Sequence, residues 1–359
     1  MYETQTFDNI LDRMLDRVPD TIDKREGSVI YDACAPAAME LAEMYIMLDI
    51  NYNLSFADTA DGEYLSRKTA EFGVNRMAAR VAERKGLFYN AANALIEVPV
   101  GSRFAIEGLT YVAKEKISTG IYKLVCESAG TVGNEQFGSL LPIDFVAGLA
   151  RAVLSDVLVP GEDEETDDAL RERFYDAVNE PAFGGNMADY KHKVNAMAGV
   201  GATKVYPVWN GGGTVKCTII ASDWNEPSST LIAEVQTAID PVVNSGKGLG
   251  QAPIGHEVTI TGVAGVGVNV GTTLTLAENV TSGHVQADIE AVLADYLLEL
   301  RQEWAHQEKL TVRTAQIDAR MLTVQGVEDV MDTTINGVAG NLTIDVDEIP
   351  LMGTVVING

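Results

Sequence analysis

Residues 23–76 read DKREGSVIYDACAPAAMELAEMYIMLDINYNLSFADTADGEYLSRKTAEFGVNR. From Ala33 to about Asn53, apolar residues recur at Cys34, Ala37, Leu41, Met44 and Leu48, with gaps alternating between three and four. That spacing lays a stripe along one α-helix, and Ala38, Tyr45 and Tyr52 widen it. At 1.5 Å per residue, some twenty residues make a rod about 30 Å long. Gly27 and Ser28 mark its start; Asp58, Asp61 and Gly62 mark a turn into a shorter helix, Glu63 to Phe72. Two uses of the stripe follow from the spacing alone. It packs on the chain's own N-terminal helix, or it is offered to a partner through Leu41, Met44, Leu48 and Tyr52.

Upstream, Phe7, Ile10, Leu11, Met14, Leu15 and Val18 predict a helix that Pro19 ends. An all-helical region is therefore expected over residues 1–84. From Gly86 to Val159 the pattern changes to short β-prone runs punctuated by glycine, with PVGSRF (99–104) reading as a turn. This predicts a small antiparallel β domain over 85–160, with strand edges that need cover from neighbours. The acids of VPGEDEETDD (159–168) lack the alternation and turn glycine of a calcium loop. They read as the first turn of a helix, with Thr166 as N-cap.

Residues 184–250 predict helix, strand, an NGGG turn, strand and helix. A β-prone segment follows, then a long amphipathic helix over 283–305 carrying Tyr296, Leu297 and Leu300. A short helix, a hairpin signalled by Asn336-Gly337 and a last strand TVVI complete the chain. Helix, Gly-Val, strand, turn, strand describes both Tyr190–Ile220 and Ala315–Ile344, so each is expected to be an α+β unit of split βαβ type. The expected architecture is a multidomain α+β protein: a helical arm, the β domain, a central α+β domain (161–275) and a C-terminal α+β unit (276–359) that shares or flanks its sheet.

The 359 residues suit several domains rather than one core. A formal charge of −26 is the wrong sign for a nucleic-acid or anionic-lipid binder; it fits an ordinary acidic, solubilising surface, or docking to a basic partner. No apolar run is long enough to span a membrane. MYETQTFDNILDRML lacks the basic and apolar regions of a secretory signal, so none is expected. Three dispersed cysteines make no disulfide framework, and Cys34 and Cys217 are expected to be small buried hydrophobes. The four histidines stand apart, with no metal-ligand spacing and no nucleophile or P-loop signature. No catalytic, cofactor or metal residues are therefore assigned, and no enzyme activity is expected. Of the tryptophans, Trp209 beside the NGGG turn is the candidate for an exposed contact.

Several phrases occur together and in order: REGS (25–28), the Asp32-to-Pro36 segment, FADTADGEYLSRKTAEFG (56–73), AGTVGN (129–134) and G-x-D-x-E-T-D (161–167) with LRER. Gly184-Gly185-Asn186, Gly199-Val200-Gly201, Gly213-Thr214-Val215 and API followed by G-x-x-V-T-I (252–260) continue the series. Together they resemble the baseplate J family, the baseplate wedge proteins of contractile phage tails and tailocins, across nearly the whole chain. The resemblance implies a structural component that joins wedge subunits into a ring around the hub. Its implied partners are other wedge proteins, further copies of itself, and hub or sheath-initiating proteins. Its implied place is the tail baseplate of a virion or tailocin, assembled in the host bacterial cytoplasm. The alternative is a receptor- or carbohydrate-binding tail module, which predicts aromatics on exposed loops of the β domain.

Overall fold

A computed structural model describes residues 2–179 and 183–358. The fold is α+β, in two compact units. The first comprises residues 1–78 and 165–180; the second comprises 79–164 and 181–359.

The first unit is helical. Helix α1 (Phe7–Asp16) starts at Thr6, whose side chain accepts from the Asn9 amide. Helix α2 (Val29–Asn53) starts at Ser28, which accepts from Tyr31. These caps each satisfy one of the amide groups that the first turn leaves unpaired. Ile10 and Leu11 of α1 are buried against Ala38 and Ala42 of α2, with Cys34, Ala35 and Tyr45 half-buried around them. Alanines at the crossing let the backbones approach closely. Helix α3 (Gly62–Ala70) forms a second small core with a later helix, α5 (Asp167–Asn179). Leu65, Ala60 and Val74 pack on Leu170 and Phe174, and the Phe72 and Phe174 rings meet edge-on at 5.3 Å. Segment 165–180 thus joins the N-terminal helices, not the central domain where 161–275 would place it. The reason is side-chain economy at its start. Arg76 reaches the Glu165 carbonyl and Asp167, Arg173 pairs with Glu165, and Arg171 donates to the Ala57 and Ala60 carbonyls.

The second unit opens with a closed antiparallel barrel: β1 (Val81–Tyr89), β2 (Arg103–Ile106), β3 (Leu109–Ser118), β4 (Ile121–Ala129), β5 (Gly138–Pro142) and β6 (Arg151–Val159). The order is β1-β4-β3-β2-β5-β6, and a short helix, α4 (Val132–Glu135), lies between β4 and β5. Because β6 returns to β1, the barrel has no open edge. The expected need for cover from neighbours is removed by closure. Phe88, Phe104, Tyr111, Tyr122 and Leu124 fill the interior. Arg84 is fully buried among them and donates to the carbonyls of Gly133, Gln136 and Ser155.

Next come α6 (Met187–Asn195), β7 (Val200–Pro207), β8 (Thr214–Ala221), α7 (Ser229–Ile239), a 3-10 turn at Val242–Asn244 and β9 (Glu257–Gly262). The sheet order is β7-β8-β9. β7 and β8 form the expected hairpin, and β9 returns parallel to β8 across α7. Tyr190, Val194, Leu231, Val235 and Ile239 cover one sheet face. Loop 240–256 is held from inside. The buried Asp240 carboxylate accepts from Ser245 Oγ and from the amides of Gly246 and Val258. Gly250 lies so close to helix α7 that a Cβ would stand 2.4 Å from the Ile239 carbonyl oxygen.

The C-terminal part comprises β10 (Ala264–Leu276), α8 (Ser282–Gln302), β11 (Thr311–Val312), α9 (Thr314–Met321), β12 (Val327–Ile335), β13 (Val338–Ala339), β14 (Leu342–Thr343) and β15 (Glu348–Asn358). β13-β12-β10-β15 form a second sheet, so the central and C-terminal parts have separate sheets rather than one. The predicted turn is present: Asn336 (φ 51°) and Gly337 (φ 76°) both adopt the left-handed backbone that a two-residue hairpin requires. The NLTIDV run departs from its expected hairpin partner, since β14 pairs with β11. The last strand is longer than TVVI and lies parallel to β10. The Ala202 and Ile220 side chains of the first sheet join the core of the second, which also holds the fully buried Trp304.

Candidate partner-binding surfaces

Helix α2 is apolar on more sides than α1 can cover. The stripe of Leu41, Met44, Leu48 and Tyr52 lies on one flank of the α1 contact, each 37–48% exposed. Met39, Ile46, Met47 and Ile50 lie outside that flank and are 47–64% exposed. The internal reading therefore holds only for part of the helix. Ala38 and Ala42 take the internal contact, and the larger side chains stay uncovered. The run Met44-Tyr45-Ile46-Met47-Leu48 is the signal that a single-stripe reading missed. Five consecutive apolar residues on a helix point all round its axis, and one neighbour cannot cover them. Between Val29 and Asn53 the helix has four acids (Asp32, Glu40, Glu43, Asp49) and no lysine or arginine.

The late helix differs. Tyr296 and Leu297 are buried in the C-terminal core and Leu300 is half-buried against it. Tyr296 Oη accepts from the Arg313 amide. The expectation that these three face a partner is corrected here. Helix α8 spends its apolar face on the core beneath β10 and β15.

Trp209 follows β7 at the hairpin turn and is 46% exposed. Beneath it, Lys216 Nζ stands 5.9 Å from its ring centre, 4.5 Å from that of Tyr206 and 2.6 Å from Asp347. Tyr206 Oη donates to the same carboxylate. Burial pushes the Asp347 carboxyl up, but hydrogen bonds from Lys216, Tyr206 and Thr218 outweigh it and hold it below the usual carboxylate range. Lys204 stands over the Trp304 ring and donates to the Glu308 and Val346 carbonyls, and its burial lowers it. This polar seam ties β7 and β8 to the segment before β15. Trp224 is half-buried and Trp304 fully buried.

Several titratable side chains elsewhere are held by contacts within the fold. Tyr190 Oη and His256 Nδ1 are 2.8 Å apart beside the α6 start, and burial pushes Tyr190 well above the ordinary tyrosine value. Most acids of 162–168 have local partners. Glu162 accepts from the Gly199 amide, Asp163 from Thr131, and Asp167 from Gly62 and Arg76. Thr166 caps α5 as expected. Cys217 and Cys126 are buried and Cys34 half-buried; burial pushes the Cys217 thiol up to about 12. The described residues contain no group of three or more His, Cys, Asp or Glu that could hold a metal ion. No helix among them is long and apolar enough to cross a membrane. An open hollow of about 610 Å³ lies along α7, lined by Ser229, Thr230, Ala233, Glu234, Thr237 and Ala238. Its one ionisable group, Glu234, is paired with Lys123 at 3.0 Å. In the barrel, Phe88, Tyr111 and Tyr122 point inward, and Tyr89 lies under Arg151.

Residues 182–262 match the baseplate J-like central domain, and residues 268–358 match the baseplate J-like protein C-terminal domain. Two Bacillus subtilis (strain 168) proteins are similar over 99% of both chains: the uncharacterized protein YqbT at 40% identity, and the phage-like element PBSX protein XkdT at 38%. The baseplate protein gp47 of Escherichia phage Mu is 28% identical over 45% of this chain and 47% of its own. The cryo-EM structure of the anti-feeding prophage baseplate aligns with 95% of this chain and 89% of that chain, at a TM-score of 0.41 and 10% identity.

Proposed function

Because the chain belongs to the baseplate J-like family, and so is a structural component of a tail baseplate, we propose that it works as a wedge subunit. In this reading it holds neighbouring wedge proteins and further copies of itself in a ring around the hub. Other hub or sheath-initiating proteins complete its set of neighbours, and assembly takes place in the host bacterial cytoplasm. It turns over no substrate and needs no cofactor.

The observation that carries the reading is α2. A helix of 25 residues that leaves two apolar flanks in water gains from any neighbour that covers them, at about 25 cal/mol per Å². Its acids and its lack of bases select the neighbour. A second copy of α2 would bring acids against acids, whereas an apolar groove rimmed by lysine or arginine would be complementary. We place this contact on Leu41, Met44, Leu48 and Tyr52, with Trp209 as a separate anchor on the other unit. Several modest contacts on one chain reinforce one another once linked, and each stays weak enough to be remodelled on contraction. The test is deletion in a tail-producing strain, followed by electron microscopy of the particles. The reading requires tails without an ordered baseplate. Normal tail ends without this chain would refute it.

A further inference from the structure

The sequence contains three Asn-Gly pairs: Asn210-Gly211, Asn336-Gly337 and Asn358-Gly359. Gly359 lies outside the described residues, so the comparison is between the first two. Each stands at the tip of a hairpin, and in sequence the two are equivalent. Their carboxamides are held very differently. The Asn336 carboxamide is tied at both ends. Its Oδ1 accepts from the Asn269 amide and from Asn269 Nδ2, each at 2.9 Å, and its Nδ2 donates to the Gly267 carbonyl at 3.1 Å. Asn210 is exposed, and among the described residues its carboxamide has no hydrogen-bond partner. That turn is held through its backbone instead. The Asn210 amide donates to Thr214 Oγ1, and the Gly211 carbonyl accepts from Thr214 Oγ1 and N. The Gly211 N–H has one contact, 3.4 Å to the Val208 carbonyl, too long to hold it firmly. A Cβ built on Gly211 or Gly212 would meet nothing within 4 Å, so the space around the pair is open.

We propose that Asn210 is a site of spontaneous deamidation, and that the fold protects Asn336 from the same reaction. The Gly211 nitrogen, having lost its proton to base, attacks Cγ of Asn210. The N–Cγ bond forms, the Cγ–Nδ2 bond breaks, and Nδ2 leaves as ammonia with a proton from water. The product is a cyclic succinimide. Water then opens the ring at Cγ to give aspartate, or at the main-chain carbonyl to give isoaspartate. The sequence of steps needs only water and base. Glycine at the attacking position removes the Cβ that would crowd ring closure, and a carboxamide free to turn can reach the attack geometry. At Asn336 the same rotation must first break three side-chain hydrogen bonds. That requirement should slow the reaction there roughly tenfold or more. Either product places a new carboxylate next to Trp209, the exposed tryptophan of this turn. Isoaspartate also lengthens the main chain at the turn by a carbon. The inference does not depend on Trp209 being an anchor; where it is one, conversion alters the contact.

The experiment holds the full chain in warm, mildly alkaline buffer, once folded and once in denaturant. Peptides covering the two sites are followed by mass spectrometry, and isoaspartate is scored by enzymatic methylation. In the folded chain Asn210 should convert roughly tenfold or more faster than Asn336. In denaturant the two rates should converge, because glycine follows both asparagines. That convergence separates the fold's contribution from the sequence's. Asn269→Ala removes one of the donors that lock Asn336; it should speed conversion there and leave Asn210 unchanged. Equal rates in the folded chain would overturn the proposal. So would an Asn210 that stays intact when folded but converts in denaturant, or an Asn336 indifferent to Asn269→Ala. Should Asn269→Ala not fold, the folded and denatured rates of the unaltered chain decide alone. Tails that assemble without this chain would sink the scaffold reading and leave this chemistry standing. Equal folded rates would do the reverse.

Discussion

Replacing Leu48 with aspartate separates what α2 does for the fold from what it does for a partner. Leu48 is 42% exposed and lies away from the α1 contact. Full burial of a leucine is worth about 1.5–3 kcal/mol, so the part still open to cover is worth about 0.6–1.3 kcal/mol. An unpaired carboxylate trapped in an apolar contact adds about 1–3 kcal/mol or more. The docked state should therefore lose about 2–4 kcal/mol, roughly a 30- to 1,000-fold loss of affinity. The free chain should lose no more than about 1 kcal/mol, as surface substitutions do. The internal contrast is Ala38→Leu. Ala38 is fully buried at the α1 crossing, and overpacking there should cost about 1–3 kcal/mol. The assays are thermal unfolding of the purified chains and recovery of each variant in purified tails. Leu48→Asp should unfold like the unaltered chain and be depleted from particles. If it unfolds as early as Ala38→Leu, or enters particles normally, the assignment of this flank to a partner is wrong.

Asp347→Asn removes the charge that Lys216 and Tyr206 both address, and should cost about 1–3 kcal/mol in denaturant unfolding. Since the folded carboxyl lies below its unfolded value, its contribution is full above about pH 4 and fades as pH falls through the folded value. The variant should flatten that acid limb, and an unchanged slope would count against the seam. Gly250→Ala should destabilise by about 1–3 kcal/mol, because its Cβ meets a helix carbonyl rather than a movable side chain; a neutral result in the same assay would show that loop 240–256 yields. Trp209 is the most exposed of the three tryptophans. Acrylamide quenching of the native chain should therefore fall in Trp209→Phe, and persistence of the quenching would place the accessible indole elsewhere.

What could be read from the chain divides by range. Local signals held: the Thr166 cap, the NGGG and Asn336-Gly337 turns, and the 3.6-residue period of α1, α2 and α8 each depend on residues a few positions apart. What failed depends on distant partners. Closure of the barrel needs β6 to find β1 some seventy residues away. The allegiance of α5 is decided by Arg76 and Arg171 reaching across about a hundred positions. The same limit explains the late helix. Tyr296 and Leu41 have the same look in a periodic pattern, and only the sheet that folds over α8 buries one and not the other.

The allegiance of α5 has a practical result for anyone cutting this gene. The backbone passes between the two bodies three times, near residues 78, 164 and 180. A fragment ending at residue 84 would strip α3 of Leu170 and Phe174 and leave a greasy, insoluble stump. Conversely, a protease that clips the first link would free no piece, because the severed helices would still grip α5. Excising the arm cleanly calls for a redesigned chain in which 165–180 is spliced directly after residue 78.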